Sequence, residues 1–243
     1  MPTEQLAQLR EEGSSSPRSV EAIRFGPDEA LPLFVGFVHP GSYRHEFAFS
    51  YAKLLMALHQ RVTIVPIKSG PNISGPRNDV VRAFLQTDNA YLLFVDADIE
   101  FEPEQVDALL AHELPVVGGA YLNRFDPEEE PTIVCSYHLG DGVYGHGEVL
   151  PVDHGLVKVS GLGMGFTLIR RDVLVDLDTG PLWPFAEVVA GGESVGAISE
   201  ESKAIVHLIS EDITFCHRAA KLGYESWLDL DVRVKHHKSA VFV

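Results

Sequence analysis

No stretch of this sequence reaches the ~18 consecutive apolar residues that a membrane-crossing helix needs. The opening "MPTEQLAQLREEGSSSPRS" has neither the basic start nor the apolar run of a secretory signal. Together these absences predict a cytoplasmic protein with no membrane span. Cysteine is scarce: Cys135 and Cys216 lie far apart with no C-x-x-C spacing, which argues against a disulfide framework or a zinc knuckle and for two reduced, partly buried thiols. Positive charge is also in short supply. Against 35 acidic residues stand 19 Lys and Arg, for a formal net charge of −16. Such an acidic surface opposes polyanionic partners and disfavours a modified DNA base as substrate, although a local basic patch can still hold a nucleotide.

What is present is an ordinary globular composition, 45% hydrophobic and 22% charged over 243 residues, enough for one large α/β domain. Residues 1–30 read as a polar N-terminal extension, with a flexible break at "GSSSP". From "LPLFVGFVHPG" onward, buried-strand runs alternate with helical apolar spacing: "EFAFSYAKLLMALHQ", "RVTIVPI", "RNDVVRAFLQT", "YLLFV", a helix opened by Pro103, then "LPVVGGAYL". That order predicts a mainly parallel sheet covered by helices. After residue 123 the pattern becomes rich in short strands and turns, as in an antiparallel insert, before "GLGMGFTLIRRDVL" returns to glycine turn, strand and helix. A helix over about 210–222 is closed by Gly223. Residues 189–205 read as a mobile loop that closes over a ligand.

The most informative stretch is "YLLFVDADIEF" at 91–101, which puts Asp96 and Asp98 directly behind a buried strand. Ligands of open α/β sheets bind beyond the carboxyl ends of strands. Two hard carboxylates at spacing two suit Mg²⁺ or Mn²⁺ with positions left for phosphate oxygens. A calcium loop is excluded, since Phe101 stands where that loop needs glycine and Asp107 where it needs glutamate. A haloacid dehalogenase-type phosphatase fits poorly, because Ile99-Glu100 follow the motif and it lies on a late strand. A capped or solvated turn remains the bland explanation of the motif alone.

The motif has company in "SGPRNDVVRAFLQTDNAYLLFVDADIEFEPEQVDALL", in "GLGMGFTLIRRDVL" and in "SEDITFCHRAAKLGYESWLDLDVRVKHH". In this order the blocks resemble the GT-A class of nucleotide-sugar glycosyltransferases, specifically family 2-like members, over roughly residues 33–238. The resemblance implies a GT-A fold with a Rossmann-like mixed sheet and a smaller antiparallel acceptor-side insert. It divides 31–243 into a nucleotide-sugar-binding half (31–123) and an acceptor-side half (124–243). The implied partners are a nucleoside-diphosphate sugar donor and an acceptor that is a small molecule, a glycan or a protein. The implied cofactor is Mn²⁺ or Mg²⁺.

Residue by residue, the resemblance makes Asp98 the direct metal ligand and gives Asp96 the ribose or a metal-bound water. His236, rather than His237, completes the metal site. Arg77 and Asn78 are expected at the nucleotide, with Ala97 and Gly163 beside the nucleotide sugar and His39 and Pro40 along the nucleobase. Asp212 is expected as the general base of an inverting transfer and Glu211 as its neighbour orienting the acceptor. Ser210 as a helix N-cap also explains these two acids structurally. Gly161, Gly163 and Gly165 allow close approach of the backbone. Trp183, Phe185 and Trp227 are core residues or sugar-stacking rings. Two other readings remain: a metal-dependent nucleotidyltransferase, for which "VHPGSYRHEF" is a poor phosphate loop, and a non-catalytic binding module of the same fold.

Overall fold

A five-residue apolar run such as "YLLFV" is buried on both faces only when helices cover both sides of a sheet. The computed structural model has this arrangement; it describes residues 23–25, 32–57, 61–69, 72–123, 132–140, 143–147, 154–178, 184–185, 188–189 and 208–237. Its strands are β1 (Ile23–Phe25), β2 (Pro32–His39), β3 (Arg61–Lys68), β4 (Tyr91–Val95), β5 (Ile99–Glu100), β6 (Val116–Ala120), β7 (Leu122–Asn123), β8 (Thr132–Gly140), β9 (Val143–Gly147), β10 (Leu156–Val159), β11 (Gly161–Leu162), β12 (Phe166–Arg170), β13 (Val188–Val189), β14 (Leu208–Ile209), β15 (Ser226–Arg233) and β16 (Lys235–His236). The helices are α1 (His45–Ala57), α2 (Ser74–Leu85), α3 (Pro103–Ala111), α4 (Arg171–Asp178) and α5 (Glu211–Lys221).

Eight strands form the main sheet in the order β1-β3-β2-β4-β12-β6-β15-β10. The pairs β3/β2, β2/β4 and β6/β15 are parallel. β12 enters between β4 and β6 antiparallel to both, so the sheet is mixed, with β3, β2, β4, β6 and β15 running in one direction. β1 extends the sheet beyond β3, inside the stretch that the sequence assigns to a polar extension. A second, antiparallel sheet holds β7, β8, β9 and β11, in the region expected to carry the insert.

Alternation along the strands distributes the core between two faces. Phe34, Leu92 and Phe94 pack with Val80 and Phe84 of α2, Leu174 of α4 and Phe215 of α5. Leu33, Val35, Leu93 and Val95 pack with Phe47 and Leu54 of α1 and Val106 and Leu109 of α3. Each such large side chain contributes about 1.5–3 kcal/mol by leaving water. Gly36 brings α2 onto β2, because a Cβ there would fall 2.2 Å from Val80 Cγ1. α3 starts with Pro103 at its first position and a reciprocal capping box between Glu102 and Gln105. Trp227 is half-buried against the second face of the sheet and Phe185 is buried in the first, so both are core residues. Trp183 lies outside the described residues, as does the 189–205 segment apart from Val189. Among the described residues, no helix is long and apolar enough to cross a membrane.

Candidate active site

In a β-strand–helix–β-strand unit the helix starts near the carboxyl ends of the parallel strands. α2 therefore carries Arg77 in its first turn toward the end of β4, where Asp96 begins. The turn after β4 is held from several directions. The backbone N–H of Asp96 donates to the Gly165 carbonyl at 2.9 Å, and Arg44 N–H donates to the Ala97 carbonyl at 2.9 Å. The second bond ties the segment after His39 and Pro40 onto the acidic turn. His39 is half-buried, its Nδ1 accepting from Gly41 N–H at 3.2 Å, while Pro40 is exposed and Ala97 buried.

Arg77 is 5% exposed and bridges two acids. Its Nη1 is hydrogen-bonded to Glu211 Oε1 at the start of α5, and its Nη2 lies 3.7 Å from Asp96 Oδ1. Sequence reasoning expects this guanidinium at the nucleotide; in the structure it joins the D-x-D turn to α5. Asn78 is likewise occupied: its amide donates to the Phe185 carbonyl at 2.7 Å and accepts from Phe185 N–H at 2.9 Å. Asn78 thus clips the backbone of a core residue.

On the other side of the turn stands His236, with its side chain 7% exposed. Its Nδ1 lies 3.1 Å from the Leu122 carbonyl oxygen. A carbonyl only accepts, so Nδ1 carries the proton of that contact, and Nε2 is the ring nitrogen turned to Asp98 Oδ2 at 3.3 Å. An imidazole proton or a cation between the two atoms satisfies this pairing. His237 points elsewhere: its Nε2 is 2.7 Å from Glu100 Oε2 and its Nδ1 is 3.6 Å from Glu46 Oε1.

Tyr121 and Gly165 complete the pocket wall, and sequence reasoning missed the first of them. The Tyr121 hydroxyl accepts from Gly165 N–H at 3.0 Å, and its ring meets His236 edge-on at 5.4 Å between centroids. A Cβ on Gly165 would fall 2.8 Å from the Tyr121 hydroxyl and 3.1 Å from Asp96 Oδ2. Gly165 is therefore the glycine pressed against the acidic turn. Gly163 is buried behind it, its carbonyl accepting from Thr167 Oγ1 at 2.9 Å, and Gly161 lies in β11. No local signal marks Tyr121 beyond an aromatic residue at the end of an apolar strand.

The two acids of α5 differ in setting. Glu211 is buried on Arg77; Asp212 is half-buried, accepting from Ser210 Oγ and from Ile213 N–H at 2.8 Å. Ser210 occupies the N-cap position, yet its hydroxyl bonds to Asp212 instead of capping the helix backbone. Removal from water pushes the Asp96 carboxyl above the usual carboxylate range; Arg77 opposes this, while the charges of Asp98 and Asp212 reinforce it. Burial and the neighbouring Asp96 charge raise the Tyr121 hydroxyl in the same sense. Asp96, Asp98, Glu211 and Asp212 thus gather around the Arg77 guanidinium and the His236 imidazole.

Among the described residues, no group of three or more His, Cys, Asp and Glu side chains forms a ready-made metal cage. Mg²⁺ and Mn²⁺ that work on phosphates do not need one, since one or two protein ligands plus water and phosphate oxygens satisfy them. The 3.3 Å between Asp98 Oδ2 and His236 Nε2 is close to the roughly 3 Å that adjacent ligands of such an octahedral ion span. The spacing of the pair and the carboxylate and imidazole donors fit a divalent cation.

No family model and no curated protein matches this chain. Among solved structures, it is similar to GalNAc-T7 with UDP, GalNAc and Mn²⁺, with a TM-score of 0.50 and 11% identity, covering 94% of this chain and 49% of that one. It thus spans about half the length of that structure. It is also similar to A197 from STIV (TM-score 0.46, 16% identity, 87% of this chain and 97% of that chain). A third similar structure is the inositol-1-phosphate CTP transferase from T. maritima (0.46, 11%, 87% and 91%). With helices on both faces of a mixed sheet and the acidic turn at the end of a central strand, the fold is GT-A-like.

Proposed function

We propose that this protein is a divalent-metal-dependent glycosyltransferase that moves a sugar from a nucleoside-diphosphate sugar to an acceptor hydroxyl with inversion. The observation that carries this reading is the convergence of Asp96, Asp98, Arg77, His236 and the first turn of α5 on one spot beyond β4. Asp98 and His236 would hold Mn²⁺ or Mg²⁺, and Asp96 would meet the donor ribose or a water of the ion. When bound, the ion supplies Lewis acidity that offsets the charge developing on the departing diphosphate.

The remaining chemistry belongs to the side chains. Asp212 takes the proton of the acceptor hydroxyl as that oxygen bonds to the anomeric carbon. The bond from that carbon to the diphosphate oxygen breaks, and its electron pair leaves with the nucleoside diphosphate. Glu211, fixed on Arg77, is unsuited to accept a proton and instead holds the first turn of α5 against the acidic turn. His39 and Pro40 line the nucleobase side, joined to the site through Arg44 and Ala97. Small molecules, glycans and proteins are the acceptor classes in view.

The test is to incubate the full chain with a panel of nucleotide sugars and Mn²⁺ and to follow release of nucleoside diphosphate. The expected result is release with one donor class, lowered roughly 10³-fold by Asp98→Ala, as loss of several kcal/mol of charge stabilisation requires. Undiminished release by Asp98→Ala would remove the metal assignment. Donor binding without turnover throughout the panel would turn the reading into that of a binding module.

A further inference from the structure

Asp98 lies in the turn just before β5 and His236 lies in β16, far apart in sequence yet kept facing one another. The connection is a two-rung ladder. β16 pairs antiparallel with β5, with Lys235 opposite Glu100 and His236 opposite Ile99. The ladder continues one step further, since His237 N–H donates to the Asp98 carbonyl at 2.8 Å. The residues on either side of His236 then close on one carboxylate. Lys235 Nζ is 2.9 Å from Glu100 Oε1 and His237 Nε2 is 2.7 Å from Glu100 Oε2. His237 Nδ1 also faces Glu46 of α1 at 3.6 Å.

Strand alternation turns Lys235 and His237 to one side and His236 to the other. A slip of one residue in this short ladder would point His236 away from Asp98 and His237 toward it. The ladder runs on from β15, with Val234 N–H donating to the Ala120 carbonyl at 3.0 Å. Beside these backbone bonds, Glu100 is gripped at both oxygens by the residues flanking His236.

We propose that Glu100 and His237 are positioning residues that fix the register of β16 and thereby aim His236 Nε2 at the cation corner of Asp98. The proposal rests on the metal reading and adds to it residues that never touch the ion. It also gives the adjacent histidines distinct duties: one faces the ion and the other clasps the strand.

The experiment measures Mn²⁺ binding to the full chain by electron paramagnetic resonance, without donor or acceptor. It compares wild type, His236→Ala, Glu100→Ala, Glu100→Gln and His237→Ala, each checked for an unchanged melting temperature. Outer-shell partners of metal ligands typically carry 10–100-fold in affinity. Glu100→Ala and His237→Ala should weaken Mn²⁺ binding in about that range. They should also diminish the ¹⁴N modulation that marks an imidazole on Mn²⁺. Glu100→Gln removes the same charge but keeps the shape and one acceptor, so it should lose clearly less than Glu100→Ala. Equal losses in the two would assign the effect to charge alone and overturn the positioning role. Wild-type affinity in both, alongside loss of binding in His236→Ala, would overturn it too while leaving the metal reading standing. Absence of Mn²⁺ binding by the wild type would bring down both. If Glu100→Ala melts early, Lys235→Met, which releases one of the two grips, should still weaken binding, and wild-type affinity there would overturn the proposal.

Discussion

Asp96–Asp98 and Glu211–Asp212 are two acidic pairs that reach the same spot, one from the turn after a strand and the other from the start of a helix. In each, one member is drawn inward by Arg77 and the other is not. Asp96 and Glu211 share the guanidinium; Asp98 faces His236, and Asp212 accepts from Ser210 and Ile213. On a helix, consecutive side chains diverge by about 100°. Glu211 can therefore turn into the core while its neighbour stays half-buried at the site. In the turn after β4 the intervening Ala97 is buried and the two carboxylates flank it. Neighbouring acids of the same chemical type are thus set apart by which of them meets Arg77, the buried cation among the described residues.

The largest effect that would break this symmetry comes from removing the cation. Arg77→Met leaves Glu211 buried without its partner and should cost about 3–5 kcal/mol of stability in a denaturant titration. Adding Glu211→Gln should recover part of that, because the orphaned charge is gone. If the double variant were no more stable than Arg77→Met, the pair would not be the reason Glu211 is tolerated inside. Next comes Asp212→Asn, which should lower kcat by roughly 10²–10³-fold through loss of a general base. Mn²⁺ affinity and melting temperature should stay near wild type. Full transfer by that variant would reassign the base.

The smallest effect uses an exposed pair as the reference for the buried one. Arg170 donates to both oxygens of Asp172 at 2.8 and 2.6 Å, and these bonds hold the Asp172 carboxyl below the usual carboxylate range. A depressed carboxylate contributes stability that is complete above its unfolded-state pKa, near 3.9, and lost as pH falls through its lower folded value. Asp172→Asn should therefore flatten the acid limb of the stability curve below about pH 4, with a change at neutral pH under about 1 kcal/mol because the pair is partly in water. A loss as large as that of Arg77→Met would erase the contrast between buried and exposed pairs.

Much of the frame was legible in the sequence because strands and helices leave local periodicities. The buried run before Asp96, the Pro103 helix start and the Gly223 helix end, at φ 91°, each follow from residues within one turn. The insertion of β12 between β4 and β6 was not legible, since the order of βα units along the chain carries no information on where a later strand docks. For the same reason Arg77 was expected at the nucleotide: its acidic partner Glu211 lies 134 residues away. The bond of Asn78 to a backbone 107 residues on was likewise beyond local signals. Tyr121 was overlooked because its distinction is its place between Gly165 and His236 and not its neighbours in sequence.

The ladder that clasps Glu100 to His237 joins residues 137 positions apart. A ribosome adding 5–20 residues per second needs roughly ten seconds to travel from one to the other. During that interval the nascent chain displays its acidic turn without the histidine that faces it. A partly synthesised chain is thus kept from joining Asp98 to His236 by the order in which its parts are made.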